Sequence, residues 1–96
     1  MAAAFTDGNI PTLAPGFRFQ WEEAQGCYVI LYPEGMVKMN QSAGEILRRC
    51  DGSKTVGIII QDLNQQFPDV DDLRADVHKF LEVAYDHGWI HFNLPA

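Results

Sequence analysis

The feature that most constrains this chain is a change of hydrophobic period inside the stretch Met36-Val37-Lys38-Met39-Asn40-Gln41-Ser42-Ala43-Gly44-Glu45-Ile46-Leu47. Before it, Phe17, Phe19 and Trp21 recur at every second position; after it, apolar residues recur at every third or fourth. A two-residue period is a strand with a buried face, and a three-to-four period is a helix with a buried stripe. The chain therefore reads as strands first and helices afterwards. That order implies an α+β domain with helices gathered beside an antiparallel sheet, not an alternating α/β one.

Phe17, Phe19 and Trp21 point one way while Arg18, Gln20 and Glu22 point the other. Cys27 to Tyr32 is apolar on both faces, as suits the middle strand of a sheet covered on both sides. Turn signals at Gln25-Gly26 and Pro33-Glu34-Gly35 separate these strands from a short third one, Met36 to Asn40. The result is a three-stranded antiparallel meander in which the first and third strands are edges.

Asn40 or Ser42 is placed to cap the first helix, and Ser53 or Thr55 the second. Val56, Ile59, Ile60, Leu63 and Phe67 form the stripe of that second helix, which Pro68 ends. Asp69 is the expected cap of a third helix carrying Leu73, Val77, Phe80, Leu81 and Ala84, with Gly88 closing it. Trp89 to Phe92 reads as a brief extended segment docked by Trp89 and Ile90. Residues 1–14 show no apolar period and read as a flexible arm; 15–96 form a single domain.

Several functions are disfavoured. With 96 residues there is room for one core, and 47% apolar content suits a folded chain. A net charge of −6, with Asp71, Asp72, Asp76, Glu82 and Asp86 around the third helix, argues against nucleic acid. No apolar run reaches the roughly 18 residues needed to span a bilayer. No basic n-region precedes an apolar stretch, so a cytoplasmic location is expected, with Cys27 and Cys50 as free thiols. Cys27, Cys50, His78, His87 and His91 lack metal-ligand spacing, and no nucleophile elbow or phosphate loop occurs. Neither an enzyme nor a metal nor a cofactor is expected.

Two features point to a bound peptide. The strand Met36, Val37, Lys38, Met39, Asn40 is an edge, and an edge is either guarded or used for strand addition. On the third helix, Val70, Leu73, Val77, Phe80 and Ala84 share one sector. Arg74, His78, Leu81 and Tyr85 widen it on one flank, and Val83 on the other. The apolar or amphipathic arc is about twice the 100° that a core-facing stripe requires. A solvated rim or a homodimer contact is the plainer explanation of the excess.

One ordered set of segments resembles a known family. It comprises Leu13-Ala14-Pro15-Gly16-Phe17-Arg18, Trp21-Glu22, Leu31-Tyr32-Pro33-Glu34-Gly35, Asn40, Ile46-Leu47, Cys50-Asp51-Gly52 and Gly88-Trp89-Ile90. Together they are similar to the small peptide chaperone of pyrroloquinoline quinone (PQQ) biosynthesis, across nearly the whole chain. The resemblance implies a winged helix-turn-helix-like recognition element with a meander followed by a three-helix bundle. It implies binding of the leader of a ribosomally made, post-translationally modified (RiPP) precursor peptide. It further implies presentation of that peptide to a radical S-adenosylmethionine enzyme, which cross-links a glutamate and a tyrosine. By that resemblance one groove wall is Met36 to Asn40, and the other is expected from Arg74, Val77, His78 and Leu81. A structural homodimer or a regulatory winged-helix domain is the alternative.

Overall fold

The computed structural model describes residues 5–93. Eight elements follow one another: β1 (Ile10–Leu13), β2 (Arg18–Glu22), β3 (Cys27–Tyr32), β4 (Gly35–Lys38), α1 (Gln41–Leu47), α2 (Val56–Gln66), α3 (Leu73–Asp86) and β5 (Ile90–Asn93). The fold is α+β. Strands β2, β3 and β4 make the expected antiparallel meander, with Phe19 opposite Ile30 and Ile30 opposite Val37. Pro33 and Glu34 alone join β3 to β4, where Tyr32 pairs with Gly35.

The two caps left open by the sequence are resolved. The Ala43 N–H donates to Asn40 Oδ1 at 2.8 Å, while Ser42 Oγ donates to the same oxygen. Thr55 Oγ1 accepts from the Ile58 N–H at 3.2 Å. Each supplies an acceptor to a first-turn donor that the helix itself leaves unpaired. At the far end, Gly88 takes φ of +76° and the Trp89 N–H returns to the Ala84 carbonyl at 3.0 Å. A left-handed glycine there reverses the chain out of α3 and into β5.

The core holds Ile30, Met39, Ala43, Ile46, Leu47, Val56, Ile59, Leu63, Val77, Leu81, Ala84 and Ile90. Helix α1 meets the sheet at Gly44, where a side chain would stand 2.8 Å from Tyr28 Cδ2. Helix α3 packs on α2, and α2 on α1.

Three expectations are corrected. The segment read as a flexible arm, 1–14, is built into the domain from Phe5 onward; residues 1–4 lie outside the described residues. Ile10–Leu13 forms β1, antiparallel to β5, with Pro11 opposite Phe92. Phe5 is buried in the core and stacks on Phe92 at 4.4 Å between ring centroids. A four-residue strand containing proline carries too weak a periodic signal to be seen, and its partner lies about 80 residues away. The third helix does not begin behind Asp69. It starts at Leu73, and its cap position is held by Asp72 in the left-handed region, φ 56°, without a side-chain cap bond. Finally, α1 covers β3 on the Tyr28 side, but Cys27 and Leu31, on the opposite face, remain only half-buried.

Candidate functional site

Strand β4 is the outer strand of its sheet: β3 pairs with it on one side, and among the described residues no strand pairs on the other. Its free edge borders a groove of about 830 Å³. One wall is the β4–α1 junction, with Val37, Met39 and Ala43. The floor comes from α2 through Leu63 and Phe67. The opposite wall is α3 and the turn before it, with Val70, Leu73, Val77, Phe80 and Val83. Few charged residues border it: Lys38, whose side chain leaves on the other face of β4, and Glu45 on one side, Asp76 and Lys79 on the other.

Local folding explains this arrangement. Because side chains alternate along a strand, Val37 and Met39 turn toward the helices and Met36 turns away. Asn40, as the helix cap, stops the strand and starts α1 at the groove's lip. Helix α3 spends its Val77–Leu81–Ala84 stripe on the core, where all three have no exposed surface. The adjoining stripe, Leu73, Phe80 and Val83, is left to the groove, with Val83 42% exposed.

Of the residues expected at the site, Val37, Lys38, Met39, Asn40 and Val77 line the groove. Met36 contributes its place on the edge but sends its side chain to the other face. Leu81 belongs to the core. Arg74 and His78 lie on the flank facing the N-terminal segment. Arg74 Nη2 meets Asp7 Oδ2 at 2.5 Å, and His78 Nε2 meets Asp7 Oδ1 at 2.9 Å. The groove thus lies along the other flank of α3 from Arg74 and His78. Their charge suggested an acidic ligand, but Asp7, in a segment read as an arm, is that acid. Phe67, Leu73, Phe80 and Val83 line the groove without having been placed on the expected wall, although the last three belong to the arc read on the third helix. Val83's position on the other flank of the apolar arc was the signal for them.

The electrostatics belong to the margins of the groove. Partial burial works to raise the Asp7 carboxyl, but hydrogen bonds from Arg74 and His78 outweigh it and hold it below the usual 3.8. Burial pushes the Cys50 thiol up to about 12, and Asp51 beside it acts in the same direction. That thiol is neutral and inert, and its hydrogen goes to the Ile46 carbonyl at 3.4 Å. Among the described residues no three of His, Cys, Asp and Glu come together as a ligand set, and no helix is long and apolar enough to cross a membrane. An unpaired strand edge along an apolar trough has the form of a site for an extended chain.

Comparison with known proteins agrees with the resemblance already noted. The family described as coenzyme PQQ synthesis protein D (PqqD) matches residues 27–90. A protein of Azotobacter vinelandii named PqqA binding protein is 50% identical over 88 residues, covering 92% of this chain and 96% of that one. One of the same name from Stutzerimonas stutzeri is 49% identical over 82 residues, covering 85% and 89%. A solution structure is similar with a TM-score of 0.75 at 27% identity, covering 93% of this chain and 96% of that one. It is the PqqD truncation of Methylobacterium extorquens PqqCD, described as a functional, stand-alone RiPP recognition element. With the family matched over two thirds of its length and relatives near 50% identity across most of it, this chain belongs to the PqqD family.

Proposed function

We propose that this chain is a non-enzymatic peptide chaperone of PQQ biosynthesis. It binds the leader of the precursor peptide, PqqA, as an added strand on β4. It then presents the peptide to a radical S-adenosylmethionine enzyme that cross-links a glutamate and a tyrosine of it. The observation that carries this reading is the free β4 edge lying along an apolar groove whose far wall is α3. The names of the relatives, PqqA binding protein, supply the ligand. The domain is read as winged-helix-like, with α3 turned to a peptide instead of a duplex. Two free cysteines suit a reducing cytoplasm.

Magnitudes say where affinity comes from. Four or five main-chain hydrogen bonds contribute about 1 kcal/mol each. Micromolar binding requires about 8 kcal/mol, and ordering a free peptide costs about 2–5 kcal/mol more. Apolar leader side chains must therefore enter the groove, at about 25 cal/mol per Å² buried. Calorimetry with a synthetic leader tests this. Val83→Asp, at an exposed groove position, is expected to weaken binding by at least about tenfold, by placing a charge against buried apolar surface. Arg74→Ala, on the other flank, is expected to leave affinity within about twofold, since it removes only an exposed ion pair. Unchanged binding by Val83→Asp would place the leader elsewhere.

A further inference from the structure

The face of the meander that looks away from the helices has an organisation the groove does not explain. Register puts Arg18, Leu31 and Met36 in one row across the sheet, and Gln20, Val29 and Lys38 in the next. Residues paired in this way present their side chains on the same face. Helix α1 packs on the other face, against Tyr28. Yet this outer face is apolar at its centre. Val29 has no exposed surface although it stands outside the contiguous core, Leu31 is half-buried, and Met36 is 40% exposed.

Its charge is equally selective. Arg48, Arg49, Lys54 and Arg74 pair with carboxylates of this chain. Among the described residues Arg18, Lys38 and Lys79, the other three of the seven Lys and Arg residues, form no such pair. Two of those three stand on the outer face, where Glu22, opposite Cys27, is the one carboxylate that the strand register places, in a molecule of net charge −6. An apolar centre beside unpaired cations fits a protein surface with an apolar patch rimmed by carboxylates.

Continuity with the peptide site selects the occupant. A strand added to β4 extends the sheet sideways, and its side chains alternate. One set enters the groove beside Val37 and Met39. The other set stands on the outer face, next to Met36 and Lys38. We infer that the peptide-modifying enzyme docks on this outer face, covering Arg18, Leu31 and Met36 together with the outward side chains of the bound leader. This rests on the function proposed above and adds the partner's footprint. It also explains selectivity for the loaded state: the composite surface is complete only when the peptide is present. A second copy of the chain fits less well, because this face carries Glu22 alone against Arg18 and Lys38 and so offers no rim of carboxylates.

The test uses the full chain, a synthetic leader and the radical S-adenosylmethionine enzyme, with enzyme affinity and leader affinity measured separately. Arg18→Glu changes an exposed β2 residue outside the groove, so folding and leader affinity stay at wild-type values. It is expected to weaken the loaded complex's binding to the enzyme about tenfold and to flatten its salt dependence. Leu31→Ser, checked for folding by leader binding, is expected to act in the same direction without altering salt dependence. Wild type without leader is expected to bind the enzyme more weakly than wild type with it. Wild-type enzyme affinity in Arg18→Glu would overturn the footprint, as would equal binding of the loaded and empty domain. A dimer seen by light scattering and abolished by Arg18→Glu would assign the face to a second copy instead. A wild-type domain that fails to bind the leader at all would remove both this inference and the reading beneath it.

Discussion

At the scale of single residues, Asp7 ties the N-terminal segment to two helices. It joins α3 through Arg74 and His78, and its carbonyl accepts from the Gly57 N–H at the start of α2 at 3.0 Å. The ion pair to Arg74 is solvent-exposed, so Asp7→Asn is expected to cost less than about 1 kcal/mol near neutral pH. The effect is clearer on the acid side. A carboxyl held below 3.8 in the folded state stabilises the fold above that pH. It loses this contribution as pH falls through its lowered value. Urea midpoints followed from pH 6 downward should fall less steeply in Asp7→Asn than in wild type, and matching slopes would show the pair to be idle. The two thiols make a second residue-scale contrast. Cys50 is buried with its thiol pushed up to about 12, while Cys27 is partly accessible. Native protein treated with iodoacetamide should carry one adduct by mass spectrometry and gain a second only in denaturant. Two adducts formed at equal native rates would contradict the burial of Cys50.

At the scale of elements, the close approach of α1 to the meander sets the near wall of the groove, and Gly44 makes it possible. A methyl group there would stand 2.8 Å from Tyr28 Cδ2 and 3.3 Å from its Cβ, contacts that only displacement relieves. Alanine is the better helix former by about 1 kcal/mol. Overpacking costs about 1–3 kcal/mol, and steric conflict should prevail because Tyr28 is held between Phe19 and Trp21. Gly57 of α2 is the control, since its added methyl would meet nothing closer than 3.5 Å. Gly44→Ala should therefore lower the urea midpoint and weaken leader binding, while Gly57→Ala should hold or raise stability by up to about 1 kcal/mol. Equal behaviour of the two would mean that α1 is free to retreat. These elements were legible in the sequence because each carries its own period, as in the alternation of Phe17 to Trp21 and the Val56–Leu63 stripe, whereas the choice of Asn40 over Ser42 and of Thr55 over Ser53 as caps was not. What could not be read was orientation. The arc on α3 was too wide for the core alone, but choosing its groove side required the partner of Arg74 and His78, and nothing local announces Asp7. The start of α3 was missed for a related reason. Asp69, Asp71 and Asp72 all suit a helix N-terminus, and the chain uses the last of them with φ 56°.

At the scale of the whole molecule, the two ends of the described chain are tied together. Strand β1 pairs with β5, and Thr12 forms a further bridge to Asp51. Phe5 is in the core beside Phe92, and the Asn9 carbonyl accepts from the Val56 N–H at 2.9 Å. None of this has a short-range signature, because the partners lie far apart in the chain and are chosen by shape and burial. The consequence is that the N-terminal segment is structural. Truncating a buried phenylalanine costs about 3–5 kcal/mol, against about 5–15 kcal/mol for the total stability of a domain. Removing residues 1–13 takes away Phe5, Pro11, the Asp7 ties and the partner strand of β5 at once. The truncated chain is expected to lose its cooperative urea transition or show a sharply lowered midpoint. Phe5→Ala alone is expected to leave a folded protein that is destabilised by a few kcal/mol. Leader binding separates stability from function here. Phe5 and β1 do not line the groove, so folded Phe5→Ala should bind the leader within about twofold of wild type once the folded fraction is taken into account. A truncated chain with full stability would mean that β1 only rests on β5, and that the core is closed by the helices and the meander alone.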